Sequence, residues 1–484
     1  MTNTAAGADL REAQLLIDGS WRPGKSGRRR DVIDPSTRGR CGSIAVADSA
    51  DIEAALASSE GAGRAWRAAS REARSMVIAA AAGHLRDAIP EVARAFTEQQ
   101  GKPLAEATGE LRRSVQTLEW IATAALENLS HDYATTVGRR YTLPEPLGAV
   151  AAFVPWNYPA VLAARKVGYA LAAGCSVILK SAEEVPATAV AIAEAFRKTG
   201  APTGLVNVLF GDPQHISSQL ISSGRIRKIS FTGSTAVGKE IASLAARSLV
   251  PCTLELGGHT PVVVLEDSDI ESTVRALVEF KFECAGQSCN APSRVFIHES
   301  MFSKFISVLA AHMGELRLGS GLDPGTTMGP LQHERRLQAV RSLVEDAMSG
   351  GAVVVGSSGR VPSDGFFFAP TLLTNVAASA RARIEEPFGP IIVADSFRTT
   401  AEAIERANDS RFGLAAYCFS GQIERALDLA RQLHVGYVGV NGFTGIPFDA
   451  PTGGIRDSGY GVEGGLPGIE DFTHGKLITE FRAR

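Results

Sequence analysis

Charge of either sign is not in excess: 49 lysines and arginines stand against 52 aspartates and glutamates, a formal net charge of -3. Without a basic field to gather phosphate backbones or anionic lipid, nucleic acid and membrane are not expected partners, and a small molecule is the default ligand. Cysteine is scarce and scattered. Cys41, Cys175, Cys252, Cys284, Cys289 and Cys418 form no CxxC pair and keep no regular spacing, which argues against a disulfide scaffold or a zinc site, so no metal is expected. The opening MTNTAAGADLREAQ has no basic stretch followed by an apolar run. No secretory signal is therefore read, the thiols are expected to stay reduced, and the expected compartment is cytoplasmic. Uninterrupted hydrophobic runs are also missing. The one uncharged stretch long enough to imitate a membrane span, Pro146 to Ala164, is broken by Pro155, Asn157 and Pro159. It reads as a buried strand entering a functional loop.

What is present is ordinary globular composition, 45% hydrophobic and 21% charged, in 484 residues. That length exceeds one hydrophobic core and suggests two or three packed units. From Asp51 to about Asn128 apolar residues recur at helical spacing, as at Met76, Val77, Ala80, Leu85 and Ile89. TTVGRRYTLPEPLGAV then alternates like extended strands of an arm. After it, short apolar runs such as GAVAAFV, SVILK and LVNVLFG alternate with helical segments such as VLAARKVGYALAAG. The alternation restarts after about residue 258 with PVVVL and RVFIH. Two successive α/β units with parallel sheets, joined near ELGGHTP, are the simplest account, and a crevice between them is the expected ligand site.

Two glycine patterns need separate weighing. Gly459 to Gly464 satisfies GxGxxG, but about twenty residues follow it, too few to complete a dinucleotide unit, so it reads as a flexible or close-packed loop. Gly233 to Lys239 imitates the start of a P-loop. Glu240 stands where a hydroxyl should hold magnesium, which argues against a nucleoside triphosphatase. Its strand–turn–helix context still suits a pyrophosphate at a helix start, or simply a helix capped by Ser234.

Several segments in order resemble the aldehyde dehydrogenase superfamily: PWNYP at Pro155–Pro159, LKSAEEVP at Leu179–Pro186, FTGSTAVGK at Phe231–Lys239, LELGGHTP at Leu254–Pro261, GQSCNAPSR at Gly286–Arg294 and EEPFGPI at Glu385–Ile391. GKPLAEATGE at Gly101–Glu110 and PTGGIRDSGYG near the end add support. The resemblance covers nearly the whole chain. It implies two Rossmann-like doubly wound α/β domains with a small β oligomerisation arm: residues 1–128 and 147–257 binding NAD, 258–460 catalytic, and 129–146 with 461–484 forming the arm and C-terminal tail. It also implies a homodimer or homotetramer.

A thiol is strongly nucleophilic even when only a small fraction is thiolate, so cysteine suits attack on an aldehyde. Cys289 matches the family's GQxC nucleophile, whereas Cys284 lacks the motif and is assigned no role. Asn157 resembles the family's oxyanion asparagine, working with the backbone N–H of Cys289. Glu255, among the apolar neighbours Leu254 and Leu256, matches the base that activates water to hydrolyse the thioester; partial desolvation would raise its pKa to a useful range. Lys166 resembles a lysine near the active site. For the cofactor, NAD, the resemblance implies Pro155 and Trp156 beside it, Lys180 and Glu183 at the adenosine ribose, and Gly211, Gly233 and Ser234 near adenine and pyrophosphate. Glu386 and Phe388 would serve the nicotinamide side. A carboxylate at Glu183 would repel a 2′-phosphate, favouring NAD over NADP.

The substrate side is expected to include Arg165, Tyr158, Glu283 and Thr452. ARKVGYALAAGC resembles semialdehyde dehydrogenases, in which an arginine at the position of Arg165 helps to hold a carboxylate. Glu283, however, stands where succinate semialdehyde enzymes carry a second arginine, and an acid there opposes a carboxylate. Thr452 replaces an aromatic wall and widens the expected pocket. A semialdehyde thus competes with a general or amino aldehyde, and a catalytically silent homologue is the alternative of a different class.

Overall fold

The computed structural model describes residues 8–136, 138–357 and 361–481. The first seven residues of the expected NAD-binding unit and the last three of the expected tail therefore lie outside the described residues.

Five parallel strands form the centre of the first sheet, in the spatial order Cys252–Glu255, Lys228–Thr232, Ala149–Phe153, Ser176–Lys180, Val206–Leu209. Ala149–Phe153, Ser176–Lys180, Val206–Leu209 and Lys228–Thr232 are buried throughout, which is why AVAAF and the VIL of SVILK read as continuous apolar runs, although Lys228–Thr232 alternates polar and apolar residues. Antiparallel additions flank the five: the hairpin Leu15–Ile17 and Ser20–Arg22 on one side, Gly459–Tyr460 on the other. The order of the parallel strands reverses between Ala149–Phe153 and Lys228–Thr232. Such a reversal opens a crevice at the carboxyl ends of the strands, the place where doubly wound sheets bind ligands. Here those ends run directly into Val154-Pro155-Trp156-Asn157 and Gly233-Ser234.

The second sheet has seven strands in the order Val353–Ser357, Thr371–Thr374, Ile391–Phe397, Arg294–His298, Pro261–Val264, Ala415–Phe419, Tyr437–Val440, all parallel except the first. Helices cover both of its faces. Val262, Val264, Val295 and Ile297 belong to one core cluster, while Val263, Leu265 and Phe296 belong to another, as the two-residue pleat requires. The molecule thus has two Rossmann-like doubly wound units. Thr473–Phe481, Gly138–Pro146 and His131–Tyr133 form a separate three-stranded antiparallel sheet.

Three helices, Ser49–Arg67, Arg71–Gln100 and Leu104–Ala124, account for the alanine-rich N-terminal region. The long middle one buries Ile78, Ala81, Ala82 and Leu85, so its core face is turned from the one the sequence suggests, and Met76 is left 66% exposed. No described helix is long and apolar enough to cross a membrane. The uncharged stretch from Pro146 to Ala164 contains instead the strand Ala149–Phe153, a loop, and the start of the helix Pro159–Ala173.

Candidate active site

A cavity of about 530 Å³ opens where the carboxyl ends of the first sheet face the second unit. Cys289, Glu255 and Asn157 line it together with Pro155, Trp156, Tyr158, Arg165, Gly233, Ser234, Glu283, Glu386 and Phe388. Residues scattered over more than 230 positions converge because each follows a strand or helix end at the crevice.

Cys289 reaches the cavity through a sharp reversal of the chain. The helix Ile270–Phe282 ends, and Cys284 (φ 53°), Ala285 (φ 53°) and Gly286 (φ 72°) take consecutive left-handed conformations. Each non-glycine residue there costs about 1–2 kcal/mol, so the turn persists only under external restraint. Three bonds supply it. Cys284 N–H donates to Glu106 Oε2 at 2.8 Å, the Gln287 side-chain amide to Cys284 O at 2.9 Å, and Gln332 N–H to Gln287 Oε1 at 3.0 Å. Gly286 allows close packing, since a Cβ would lie 2.7 Å from the carbonyl carbon of Gly389. Burial pushes the Cys289 thiol well above its ordinary pKa, and the charges of Glu255 and Glu386 push it further.

Glu255 ends the strand Cys252–Glu255 and accepts from Thr232 Oγ1 at 3.1 Å. Burial raises its pKa, and the negative charge of Glu463 adds to the rise against the opposing Lys166 and Arg165. Lys166 does not line the cavity. Its ammonium is fully buried behind Glu255, where it donates to Ser230 Oγ at 3.0 Å and pairs with Glu463. Glu463 was not singled out in the sequence. It lies within the Gly459–Gly464 pattern, and that loop is close-packed rather than flexible: Gly459 pairs with Glu255, and Thr452 and Glu463 exchange backbone hydrogen bonds at 2.8 Å. A carboxylate among glycines was the available signal. Thr452 therefore braces this loop and is absent from the cavity wall.

Asn157 is buried, its Nδ2 donating to Gln287 O at 3.0 Å while its Oδ1 has no hydrogen-bond partner. Trp156, edge-on to both Phe388 and His333, forms the adjoining wall. Arg165 is nearly buried. It donates to Ile446 O, and its Nε lacks a partner. Glu283 is held by Arg113 at 3.0 Å.

A dinucleotide fits the remaining residues. Ser234 caps the helix Thr235–Arg247 and Gly233 precedes it, so the helix start points free amides at the crevice. Gly257 leaves a cradle, because a Cβ there would strike the carboxylate of Glu386. Glu386 Oε1 accepts from Gly258 N–H at 3.0 Å, and burial lifts its pKa to about 7 against that bond and the charge of Arg336. Lys180 and Glu183 form a buried ion pair at 2.6 Å outside the main cavity, at the end of the strand Ser176–Lys180, and Gly211 follows the neighbouring strand Val206–Leu209. They continue the same row of carboxyl ends. Lys239, the P-loop lookalike, is turned to Asp457 at 2.8 Å.

Residues 21–478 match the profile of the aldehyde dehydrogenase family. The chain is 40% identical over 473 residues to 4-(hydroxymethyl)benzenesulfonate dehydrogenase TsaD1 of Comamonas testosteroni, covering 96% of this chain and 97% of that one. It is 36% identical to succinate-semialdehyde dehydrogenase [NADP(+)] GabD of Escherichia coli, covering 97% and 98%. The crystal structure of betaine aldehyde dehydrogenase from Staphylococcus aureus in complex with NAD+ superposes with a TM-score of 0.93 at 31% identity, covering 96% and 94%.

Proposed function

The chain belongs to the aldehyde dehydrogenase family and is an NAD(P)-dependent aldehyde oxidoreductase, and from that premise we propose that Cys289 is its nucleophile, Asn157 its oxyanion donor and Glu255 its base. The observation that carries this reading is the convergence of all three side chains on one cavity beside the crevice at Gly233 and Ser234.

The resting thiol is protonated because it is buried, so its proton must leave as sulfur attacks the carbonyl carbon. Glu255, raised in pKa and in the same cavity, is suited to receive it. The tetrahedral oxyanion that forms on Cys289 accepts from the Asn157 Nδ2 N–H that is not donated to Gln287 O, and from the Cys289 backbone N–H. Loss of one such donor typically costs about 3–4 kcal/mol of barrier. Bound nicotinamide supplies the hydride acceptor that converts this adduct into a thioester. Once the thiol's proton has passed from Glu255 to solvent, the carboxylate takes a proton from the water that attacks the thioester and returns it to the departing sulfur, releasing the acid and the free thiol. Lys166 moderates Glu255 by pairing with Glu463 and, together with Arg165, by offsetting its charge on the base. Replacing Cys289 with alanine is expected to abolish NADH formation while cofactor binding, followed by fluorescence titration, stays within about twofold; unchanged turnover would remove the nucleophile assignment.

The substrate reading that the cavity supports best is an aldehyde bearing a second, anionic group. A guanidinium this deeply buried normally has an ionic partner. Arg165 has none in a salt bridge among the described residues, since Glu463 is taken by Lys166 and Glu283 by Arg113. The acid at Glu283 is thus neutralised rather than opposed to a carboxylate. The names of the two relatives agree, one carrying a sulfonate and the other a succinate carboxylate. Arg165→Met is expected to raise KM for succinate semialdehyde or 4-formylbenzenesulfonate by about tenfold or more while sparing hexanal and benzaldehyde, from the usual worth of a charge-assisted contact. Equal losses on charged and neutral aldehydes favour the general-aldehyde reading.

For the cofactor we favour NAD. Glu183 keeps a carboxylate beside Lys180, where a 2′-phosphate would meet like charge. Glu183→Ser is expected to shift the ratio of kcat/KM values toward NADP by about tenfold; an unchanged ratio would refute the assignment. The strand Thr473–Phe481 ends its sheet with one edge unpaired among the described residues and with Leu477 and Phe481 exposed, which supports a homodimer or homotetramer. Sedimentation equilibrium reads this directly, and a monomer would exclude it.

A further inference from the structure

The segment Gly101–Glu110 has no part in the chemistry above, yet it contains a fully internal ion pair. Gly101 closes the helix Arg71–Gln100 in the left-handed region (φ 90°) and Pro103 caps the helix Leu104–Ala124, so Lys102 sits in a buried three-residue link between two helices. Its ammonium meets Glu110 Oε2 at 2.7 Å, with the two side chains 1% and 0% exposed. Burying an ammonium and a carboxylate is expensive, and an apolar pair of similar volume is commonly as stable. Stability alone is therefore a poor reason for this pair.

The remaining hydrogen bonds of the two side chains go to one short stretch, Asn157 to Val161, and the ammonium also lies 4.8 Å from the centre of the Phe96 ring. Lys102 Nζ donates to Asn157 O at 2.9 Å and lies 4.3 Å from the centre of the Tyr158 ring. Glu110 Oε1 accepts from Ala160 N–H at 2.9 Å and from Val161 N–H at 3.3 Å, the free amides at the start of the helix Pro159–Ala173. That helix has no cap of its own, because Tyr158 at the capping position makes no side-chain bond to it. Cys284 adds a weaker contact, its thiol donating to Asn157 O at 3.6 Å while its sulfur accepts from the Gln100 amide at 2.9 Å.

We propose that Lys102 and Glu110 are positioning residues for the oxyanion donor: the ion pair grips the chain at the carbonyl of Asn157 and at the helix amides that follow it. The Asn157 amide is thereby fixed relative to Cys289 before substrate arrives. A preformed donor stabilises developing charge without reorganising, whereas one that swings with its loop loses most of that advantage. The pair touches neither substrate nor cofactor and acts only through Asn157. This inference rests on the reading of Asn157 as oxyanion donor.

The test is a double-mutant cycle on the full-length enzyme, measuring kcat, KM for the aldehyde and Kd for NAD in Lys102→Met, Asn157→Ala and the combination. Lys102→Met is expected to lower kcat by about tenfold or more with NAD Kd changed less than about twofold, and to cost less than about twofold further once Asn157 is alanine. Equal losses in both backgrounds, or an unchanged kcat in Lys102→Met alone, would overturn the inference while leaving the oxyanion assignment standing. Wild-type kcat in Asn157→Ala would sink the oxyanion assignment and this inference with it. If Lys102→Met leaves Glu110 uncompensated and the chain does not fold, the neutral variant Lys102→Met/Glu110→Gln takes its place in the cycle with the same outcomes.

Discussion

Burial of the ionisable side chains around the cavity is the constraint to which the rest of the site answers. A charged group taken out of water either shifts its pKa or acquires a partner. Both responses occur within one cavity and its surrounding shell. Glu255 and Glu386 rise, the latter to about 7, and the Cys289 thiol rises well above its ordinary value. Lys166 and Lys102 instead keep buried carboxylate partners, Glu463 and Glu110. The same desolvation that makes the thiol reluctant to ionise makes the carboxylates willing to accept a proton. A nucleophile that ionises as it attacks is thus placed with a base able to help it.

The buried site depends in turn on close backbone approach. Gly257 and Gly258 follow Glu255 after Leu256, and side chains at those positions would collide with the Glu386 carboxylate and with the carbonyl of Cys289 respectively. These two glycines bring the end of one sheet against the loop of the other unit. They explain why base, nucleophile and the carboxylate Glu386 belong to three distant segments yet share one enclosed space. The left-handed turn at Cys284–Gly286, restrained by Glu106, Gln287 and Gln332, then aims the nucleophile into it.

Much of this was legible in the sequence because its physical signals are local. Strands such as Ser176–Lys180 are buried on both faces and therefore appear as unbroken apolar runs, and the joint near ELGGHTP falls where one sheet ends and the next begins. Cys289, Glu255 and Asn157 carry motif signatures, and they meet in the cavity. What escaped is non-local. Lys102 and Glu110 look like solvated charges near a helix start, and only the packing of the helix Leu104–Ala124 against the helix Pro159–Ala173 shows them to be internal. Glu463 was hidden in a glycine pattern read for its backbone alone. Thr452 was read as a missing pocket wall, whereas its backbone is spent on bracing Glu463. The buried face of the helix Arg71–Gln100 was misplaced at Met76 because an isolated exposed apolar residue is common on protein surfaces.

The central claim is that a covalent acyl intermediate forms on Cys289 and is released by water that Glu255 activates. The most direct measurement is peptide-mapping mass spectrometry of the Glu255→Gln variant, quenched with acid shortly after mixing with NAD and an aldehyde. The account predicts that the acyl group accumulates on the peptide containing Cys289, at a level well above that in the unmodified enzyme. Turnover without any acylated cysteine, or an acyl group found on Cys284 with Cys289 free, would contradict it.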